Sequence, residues 1–189
     1  MINRAIEITK FSSHRVREAV IAGFCRTPFG KYRGGLSDIE ATKLGSIAIS
    51  GLLDSLSLNP MSGVIDGVYM GMVLQAGAGQ APARQASIGA GLPFDTPATT
   101  LNKVCGSSLK AVMIAAMEIE SGRSNVIIAG GMESMSRAPM IAENVSKGEP
   151  VEYSSLVSIL HKDGLIDAYS GDATVSYTHL RAHETLSHR

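Results

Sequence analysis

Apolar runs and helical patterns alternate along residues 19–131, and this alternation constrains the fold more than any other feature. The four apolar runs, each of a length typical of a buried strand, cover Ala19–Cys25, Ile65–Gln75, 98–104 and 125–131. Helical patterns lie between them: one from an N-cap at Ser37 to Asn59-Pro60, a short one over 81–92, and one from Cys105 to a glycine cap at Gly122. This order predicts an α/β layered fold around a buried mixed or parallel sheet.

Composition narrows the functional classes. The 189 residues include 17 basic and 17 acidic side chains, so the net charge predicts neither a nucleic-acid nor an anionic-membrane partner. No apolar run reaches the roughly 18 residues that a membrane span needs. Only two cysteines are present, which favours a reduced, cytoplasmic setting. Residues 1–16 carry Arg4, Lys10 and Arg15 without a signal-peptide core; we interpret them as an N-terminal extension, with a mitochondrial targeting segment as the alternative.

The segment "NKVCGSSLKAV" raises the main functional question, because Cys105 stands where a strand turns into a helix. The helix is apolar nearly all round, which is typical of an interior helix and of a buried, inert cysteine. A cysteine at a helix N-terminus, however, sits near unpaired N–H groups and the positive end of the helix dipole, which favour the thiolate. The same N–H groups could stabilise an oxyanion, and Gly106 would let a substrate approach the backbone. These residues alone leave both interpretations open.

Five longer segments of the sequence resemble segments of one protein family, and they occur in the same order as in that family. "LNKVCGSSLKAVMIAA" is similar to the acyl-enzyme segment of the thiolases, and "REAVIAGFCRTPFGKYRGGL" to the N-terminal strand and loop of that family. "QAGAGQAPARQASIGAGLP", "NVIIAGGMESMSRAPM" and "KDGLIDAYSGD" resemble its second loop and helix, its next strand and turn, and part of its coenzyme A-binding loop domain. The resemblance implies a thiolase-like α/β/α layered fold, present here as the N-terminal half plus the start of the loop domain.

The resemblance also implies a chemistry. Thiolases condense two acyl-CoA molecules, or cleave a 3-ketoacyl-CoA, through an acyl-cysteine. Carried over, Cys105 is the nucleophile and its own N–H is one oxyanion donor, whereas Cys25 is expected in the core of the first strand. The family's activating histidine and second catalytic cysteine belong to motifs of its second half that this sequence does not contain. We therefore expect the chain as written to be an inactive fragment.

The family pattern breaks after Asp172, where the sequence continues as "ATVSYTHLRAHETLSHR". We interpret this tail as a translation artefact, a frame-shifted or adapter-derived run. His179 and His183 stand one helical turn apart, but no third ligand is evident, and no metal site is predicted. The predicted domains are an extension (1–16), a thiolase N-terminal domain (17–139), a partial CoA-binding loop region (140–172) and the tail (173–189).

The resemblance predicts an acyltransferase of the acetyl-CoA C-acetyltransferase type, which converts two acetyl-CoA into acetoacetyl-CoA and CoA. The alternatives are a longer-chain 3-ketoacyl-CoA thiolase of fatty-acid β-oxidation and a non-catalytic, thiolase-like lipid-binding relative. A ketoacyl synthase is disfavoured because "GGMESMSRAP" is similar to thiolases. The expected partner is acetyl-CoA or another acyl-CoA as substrate, with no separate cofactor, and the full-length family forms homodimers or homotetramers.

Overall fold

The computed structural model of the protein describes residues 17–143, 150 and 152–173. Among these residues, three α-helices and five strands form in the order α1 (Ala41–Ser55), β1 (Gly67–Gly71), α2 (Pro82–Gly89), β2 (Ala98–Leu101), α3 (Ser107–Glu120), β3 (Ile127–Gly131), β4 (Met140–Ala142) and β5 (Leu156–Ser158). Within these ranges, no helix combines the length and the apolar character that crossing a membrane requires. The predicted extension 1–16 and all but the first residue of the predicted tail lie outside the described residues.

The main sheet confirms the predicted α/β class. Its strand order is β2-β1-β3, and both pairings are parallel, with Val68 opposite Ala98 on one side and Ile128 on the other. Parallel neighbours need a crossover, and α2 and α3 supply the two crossovers in this sheet. The carboxyl ends of all three strands therefore lie at the same edge, where ligands bind in open α/β sheets.

The two faces of the sheet carry different layers. Val68 and Met70 point to one face and pack in a core with α1 and α2. That core includes, besides these two, the buried residues Ala41, Ile49, Leu53, Ile65, Met72, Ala83, Ala86, Ala90, Leu92, Ile128 and Met132. The alternate residue Tyr69 points to the other face, where its hydroxyl donates to Glu118 of α3 at 3.0 Å. The arrangement is the expected α/β/α layering.

Small residues let α3 approach the sheet closely. The buried residues of the helix are Ser107, Ala111 and Ala115, spaced by four so that they lie on one face. They meet strands that end in glycine: a Cβ added to Gly71 would lie 2.6 Å from atoms of Ser107 and Ser108, and one added to Gly131 would lie 2.8 Å from the Cβ of Ser108. Glycine at these two strand ends thus lets the first turn of α3 lie directly against the sheet.

The first apolar run does not form the predicted strand. Residues 17–31 have no ladder pairing within the described chain, and Val20, Ile21 and Phe24 are 76, 83 and 90% exposed. The segment is tied down by side chains, since Arg17 donates to Asn125 at 2.8 Å and Gly23 lies against Leu56. An apolar run becomes a strand only when another strand accepts and donates its backbone hydrogen bonds, and none of the described strands does so here.

The start of α1 also differs from the prediction. The helix begins at Ala41, and its N-cap is Glu40, three residues after the predicted cap at Ser37 and without a side-chain cap hydrogen bond. The preceding loop is held instead by the segment after β3, because Ser134 donates to the carbonyl of Ile39 at 2.9 Å and the N–H of Arg33 donates to Ser136 at 2.8 Å. These tertiary contacts compete with the local capping box that the sequence suggested.

A second small sheet was not predicted. Strands β4 and β5 pair antiparallel, with Ile141 opposite Val157, and a π-helical turn follows at Leu160–Leu165. The sequence pattern near residues 154–160 favours a helix, whereas Leu156–Ser158 form the strand β5. The buried residues Leu74, Ile159 and Leu160 form a separate cluster that joins this region to the loop after β1. Strands of three residues are too short to show a periodicity in sequence.

Candidate active site around Cys105

Cys105 lies in the turn between β2 and α3, at the carboxyl edge of the parallel sheet. Strand β2 ends at Leu101 and α3 begins at Ser107, so residues 102–106 make the turn and Gly106 is the N-cap. The cysteine is a free thiol and is exposed. The predicted strand-to-helix corner is present, with the helix beginning two residues after the cysteine.

Several polar groups of the turn are hydrogen-bonded to one another. The N–H groups of Gly106 and Ser107 donate to the carbonyls of Lys103 and Val104, at 3.0 and 3.1 Å. The buried hydroxyl of Ser107 accepts from the N–H of Lys103 at 2.8 Å and donates to the carbonyl of Val104 at 2.6 Å. The two amides that follow Cys105 are thus paired inside the turn, which rules them out as free oxyanion donors in this conformation. These four hydrogen bonds close the turn around the cysteine.

Val104, immediately before the cysteine, has an uncommon backbone conformation. Its φ of +48° lies in the left-handed region, which a β-branched residue rarely adopts. Such a residue costs on the order of 1–3 kcal/mol and persists only where its surroundings enforce it. Here Asn102 accepts from the N–H of Val104 at 2.9 Å, and Ser107 holds the carbonyl. Local strain of this kind clusters at functional sites, and it lies next to the candidate nucleophile.

The space around Cys105 is open. A Cβ added to Gly106 would have as its nearest neighbour the carbonyl oxygen of Lys103 at 3.4 Å, so packing does not require a glycine at this position. Two small pockets beside the amino end of α1 are lined by Glu40 and Thr42 among others, and neither is lined by Cys105. The thiol therefore sits on an accessible surface, and the missing side chain at 106 leaves room for a ligand to reach the backbone.

The outer face of α3 is apolar and exposed. Leu109, Met113 and Met117 follow Cys105 at intervals of four residues and are 66, 49 and 54% exposed, and Val112 beside them is 40% exposed. We call these four residues the outer stripe of α3. The sequence predicted an interior helix, whereas in the described residues only one face of α3 is covered. Contiguous exposed apolar residues of this kind mark surfaces that contact another molecule or segment.

The other residues singled out from the sequence do not join this site. Cys25 was expected in the core, but it is exposed, because its segment forms no strand. The prediction for Cys25 was wrong. His161 is exposed in the π-helical turn, and His14, His179, His183 and His188 lie outside the described residues. Across residues 17–143, 150 and 152–173, no three His, Cys, Asp or Glu side chains come together as a metal site would require.

Glu133, which the sequence did not single out, lies near the same edge of the sheet. It follows β3, and its Oε2 accepts from the N–H of Val73 at 2.7 Å and from that of Leu74 at 3.4 Å. Its Oε1 is buried and has no hydrogen-bond partner among the described residues. Burial raises the pKa of Glu133, and the backbone hydrogen bonds from Val73 and Leu74 oppose that rise. A carboxyl two residues after an apolar, glycine-ended strand was the available sequence signal.

Comparison with known proteins decides the family. The family model described as "Thiolase, N-terminal domain" matches residues 19–185. The chain belongs to the thiolase family. This thiolase chain is 49% identical over 155 residues to "Acetyl-CoA acetyltransferase, mitochondrial" of Danio rerio, and the aligned region covers 82% of the chain and 36% of that protein. It is 48% identical over 154 residues to "Acetyl-CoA acetyltransferase 2" of Arabidopsis thaliana, covering 82% of the chain and 38% of that protein.

A human relative gives the same result. "Acetyl-CoA acetyltransferase, mitochondrial" of Homo sapiens is 46% identical over 167 residues, covering 88% of the thiolase chain and 38% of that protein. The thiolase chain thus spans less than two fifths of the length of these three relatives. The family match runs to residue 185, and the domain boundaries given from the sequence stay predictions.

Proposed function

We propose that this chain supplies the nucleophile of an acetyl-CoA C-acetyltransferase-type thiolase, and that Cys105 is that nucleophile. The observation that carries the proposal is the exposed Cys105 thiol in a strained, hydrogen-bonded turn at the carboxyl edge of the parallel sheet. The three relatives described above are named acetyl-CoA acetyltransferases, which supports the acetyl specificity.

The proposed step is acyl transfer to sulfur. The Cys105 thiolate attacks the thioester carbonyl of acetyl-CoA, the carbonyl oxygen carries the negative charge of the tetrahedral intermediate, and its collapse breaks the bond to the CoA sulfur. CoA leaves as a thiolate and takes up the proton that the Cys105 thiol gave up, so charge and atoms balance. The acetyl group then waits on Cys105 for the second acetyl-CoA.

The surroundings of Cys105 support this role. Gly106 adds no side chain beside the cysteine. The N–H groups of Gly106 and Ser107 are paired within the turn, so the proposal assigns the oxyanion to the N–H of Cys105 itself, as the resemblance to the family implies. The longer-chain 3-ketoacyl-CoA thiolase stays the alternative, because nothing among the described residues closes the space beyond Cys105.

Acyl labelling tests the proposal. The chain is incubated with acetyl-CoA, and peptide mass spectrometry measures the acetyl group on each cysteine. Cys25 is the matched control, because it is also an exposed free thiol but lies outside the site. We expect no turnover to acetoacetyl-CoA from the chain as written, because the histidine and second cysteine of the family's second half are missing from this sequence. The acyl-transfer half-reaction should still occur, with acetylation of Cys105 exceeding that of Cys25 by at least about tenfold, equivalent to roughly 1.4 kcal/mol in the barrier.

The controls separate the alternatives. Cys105→Ala should abolish the label and Cys25→Ala should leave it unchanged. Equal labelling of the two thiols would mean unspecific transfer and would overturn the proposal. Decanoyl-CoA in place of acetyl-CoA addresses chain length: faster labelling with the longer chain favours the β-oxidation alternative. Acyl-CoA binding without any label on Cys105 favours the lipid-binding relative.

Location and assembly are part of the same proposal. The relatives from Danio rerio and Homo sapiens are named as mitochondrial, which supports the mitochondrial alternative over the cytoplasm for this chain. A homodimer or homotetramer follows from the resemblance to the family. The exposed outer stripe of α3 supports burial against another surface in the active assembly.

A further inference from the structure

A continuous path of hydrogen bonds joins the buried carboxyl of Glu133 to the turn that carries Cys105. It begins where Glu133 accepts from the N–H groups of Val73 and Leu74, in the loop after β1. These residues are 60 and 59 positions from Glu133 in the chain, so the contact exists only because β1 and β3 are neighbours in the sheet. The carboxyl thus contacts the backbone at the point where the chain leaves β1.

The path continues through Asn102. The carbonyl of Val73 accepts from Nδ2 of Asn102 at 3.4 Å, and Oδ1 of the same side chain accepts from the N–H of Val104 at 2.9 Å. Val104 is the strained residue with a φ of +48°. Asn102 thus uses both ends of its amide, one to contact the loop after β1 and the other to hold the residue before Cys105.

The burial of Glu133 calls for a reason beyond stability. Its Oε1 has no hydrogen-bond partner within the described part of the chain, and no described cation forms an ion pair with this carboxyl. A buried acceptor left without a partner costs on the order of 1–3 kcal/mol. Groups kept at such a cost are found at functional sites more often than elsewhere, which fits a residue that acts on the cysteine from a distance.

We propose that Glu133 is a positioning residue for Cys105: it fixes the loop after β1, and through Asn102 this loop keeps Val104 in the left-handed conformation that orients the thiol. The inference rests on the proposed role of Cys105 as nucleophile. It assigns no contact between Glu133 and the substrate. Its consequence is that removing the carboxyl should disturb a turn in which Glu133 takes no direct part.

The experiment uses four variants in the Cys25→Ala background, so that Cys105 is the sole thiol. Glu133→Ala removes the path at its start, and Glu133→Gln keeps an oxygen that can accept from Val73. Asn102→Ala breaks the path further along at an exposed side chain, so it tests the proposal even if Glu133→Ala fails to fold. Asp66→Ala is the matched control. The carboxyl of Asp66 also accepts from two consecutive N–H groups, those of Asn125 and Val126, at 2.6 and 3.0 Å. These two residues precede β3, so the contact lies at the end of the sheet opposite to Glu133.

Two readouts separate this inference from the proposed function. Hydrogen exchange of the peptide around residues 102–106 reports the turn itself, and the rate of Cys105 acetylation by acetyl-CoA reports its chemistry. We expect Glu133→Ala and Asn102→Ala each to speed exchange and to slow acetylation by about tenfold, the effect of losing one hydrogen bond of roughly 1.4 kcal/mol. Glu133→Gln should restore most of both, and Asp66→Ala should change neither.

The outcomes are distinguishable. If the turn exchanges at the unsubstituted rate in Glu133→Ala or, where that variant does not fold, in Asn102→Ala, the positioning role is wrong, whatever the acetylation shows. If Asp66→Ala has the same effects as Glu133→Ala, the carboxyl contributes only general stability, and the inference also fails. If exchange responds as expected but Cys105 is never acetylated in the unsubstituted chain, the path is real and the proposed function is the part that fails.

Discussion

Gly71 offers the sharpest test of how the site is built, because it ends β1 directly beneath the first turn of α3. In Gly71→Ala the new Cβ would lie 2.6 Å from the carbonyl carbon and the Cβ of Ser107 and 2.6 Å from the nitrogen of Ser108. Relief to an ordinary contact of 3.4 Å requires a movement of about 0.8 Å. Two of these three atoms belong to the backbone, so no side-chain rotation can supply the movement.

The magnitude follows from what must move. Overpacking of this kind costs about 1–3 kcal/mol, and displacing Ser107 strains its two hydrogen bonds to Lys103 and Val104, worth about 1 kcal/mol each. Alanine also restricts the unfolded chain, which returns about 0.4–1 kcal/mol. We therefore expect Gly71→Ala to lower the free energy of unfolding by about 2–3 kcal/mol. For a chain of this size that corresponds to a fall in Tm of roughly 4–12 °C.

Urea unfolding followed by circular dichroism measures this free energy, and Gly67→Ala is the control. Gly67 lies on the same strand and points to the same face, but its added Cβ would have Pro97 O at 3.7 Å as its nearest neighbour. The free energy of unfolding of Gly67→Ala should lie within about 1 kcal/mol of that of the unsubstituted chain. Equal midpoints for the two variants would refute the idea that the glycine end of β1 sets the position of α3.

Three further predictions concern the turn and the sheet. Ser107→Ala should lower the free energy of unfolding, measured in urea, by about 1–3 kcal/mol, because the substitution removes the hydrogen-bond partner of the Lys103 N–H. The control Ser108→Ala, at an exposed neighbouring position, should change the free energy of unfolding by less than about 0.5 kcal/mol. Gly106→Ala should change the free energy of unfolding by less than about 1 kcal/mol but slow the acetylation of Cys105, as measured by peptide mass spectrometry. Unchanged labelling would contradict the proposal that the substrate reaches the backbone at Gly106. Asp66→Asn should lower the free energy of unfolding by about 0.5–1 kcal/mol at pH 7, and urea titrations in acid should show no difference from the unsubstituted chain. A difference that does not depend on pH would contradict a role for the ionised carboxyl.

The sign of the Asp66 prediction follows from its pKa. Backbone hydrogen bonds from Asn125 and then Val126 lower the pKa of Asp66 below its usual value of 3.8 in the folded chain. The folded state therefore binds the proton more weakly than the unfolded state. The stabilisation is complete above the unfolded pKa and is lost as the pH falls through the lower folded pKa. Because the carboxyl is exposed, the expected size is at the small end for a charged hydrogen bond.

The features that the sequence predicted well are those encoded locally. The apolar runs at Ile65–Gln75 and 125–131 contain β1 and β3, and the glycine signal at Gly122, with its φ of +75°, lies two residues beyond the end of α3. The corner at Cys105 was likewise visible, because a strand pattern stops and a helical pattern starts within a few residues. Each of these signals depends only on neighbours along the chain.

The failures share a different cause. Residues 19–25 have the composition of a strand, yet the described sheet offers them no pairing, and Ser37 loses its capping role to contacts with the segment after β3. The strain at Val104 and the role inferred for Glu133 depend on contacts between residues far apart in sequence, such as the 60 positions between Val73 and Glu133. No pattern within one segment encodes such a contact, so this part of the site could be seen only in the fold.

Five of the nine methionines of this chain form one buried and one exposed set, and together they can report whether the outer stripe of α3 is covered. Met70, Met72 and Met132 are 3, 4 and 7% exposed beneath α1 and α2, whereas Met113 and Met117 on the outer stripe of α3 are about half exposed. Dilute peroxide should convert the second group to sulfoxides well before the first, since oxidation follows access to the sulfur. Any surface that covers the outer stripe would slow Met113 and Met117 while the three core methionines serve as an internal baseline. Peroxide footprinting would thus measure the occupancy of the face beside Cys105 directly, without a label or a substitution.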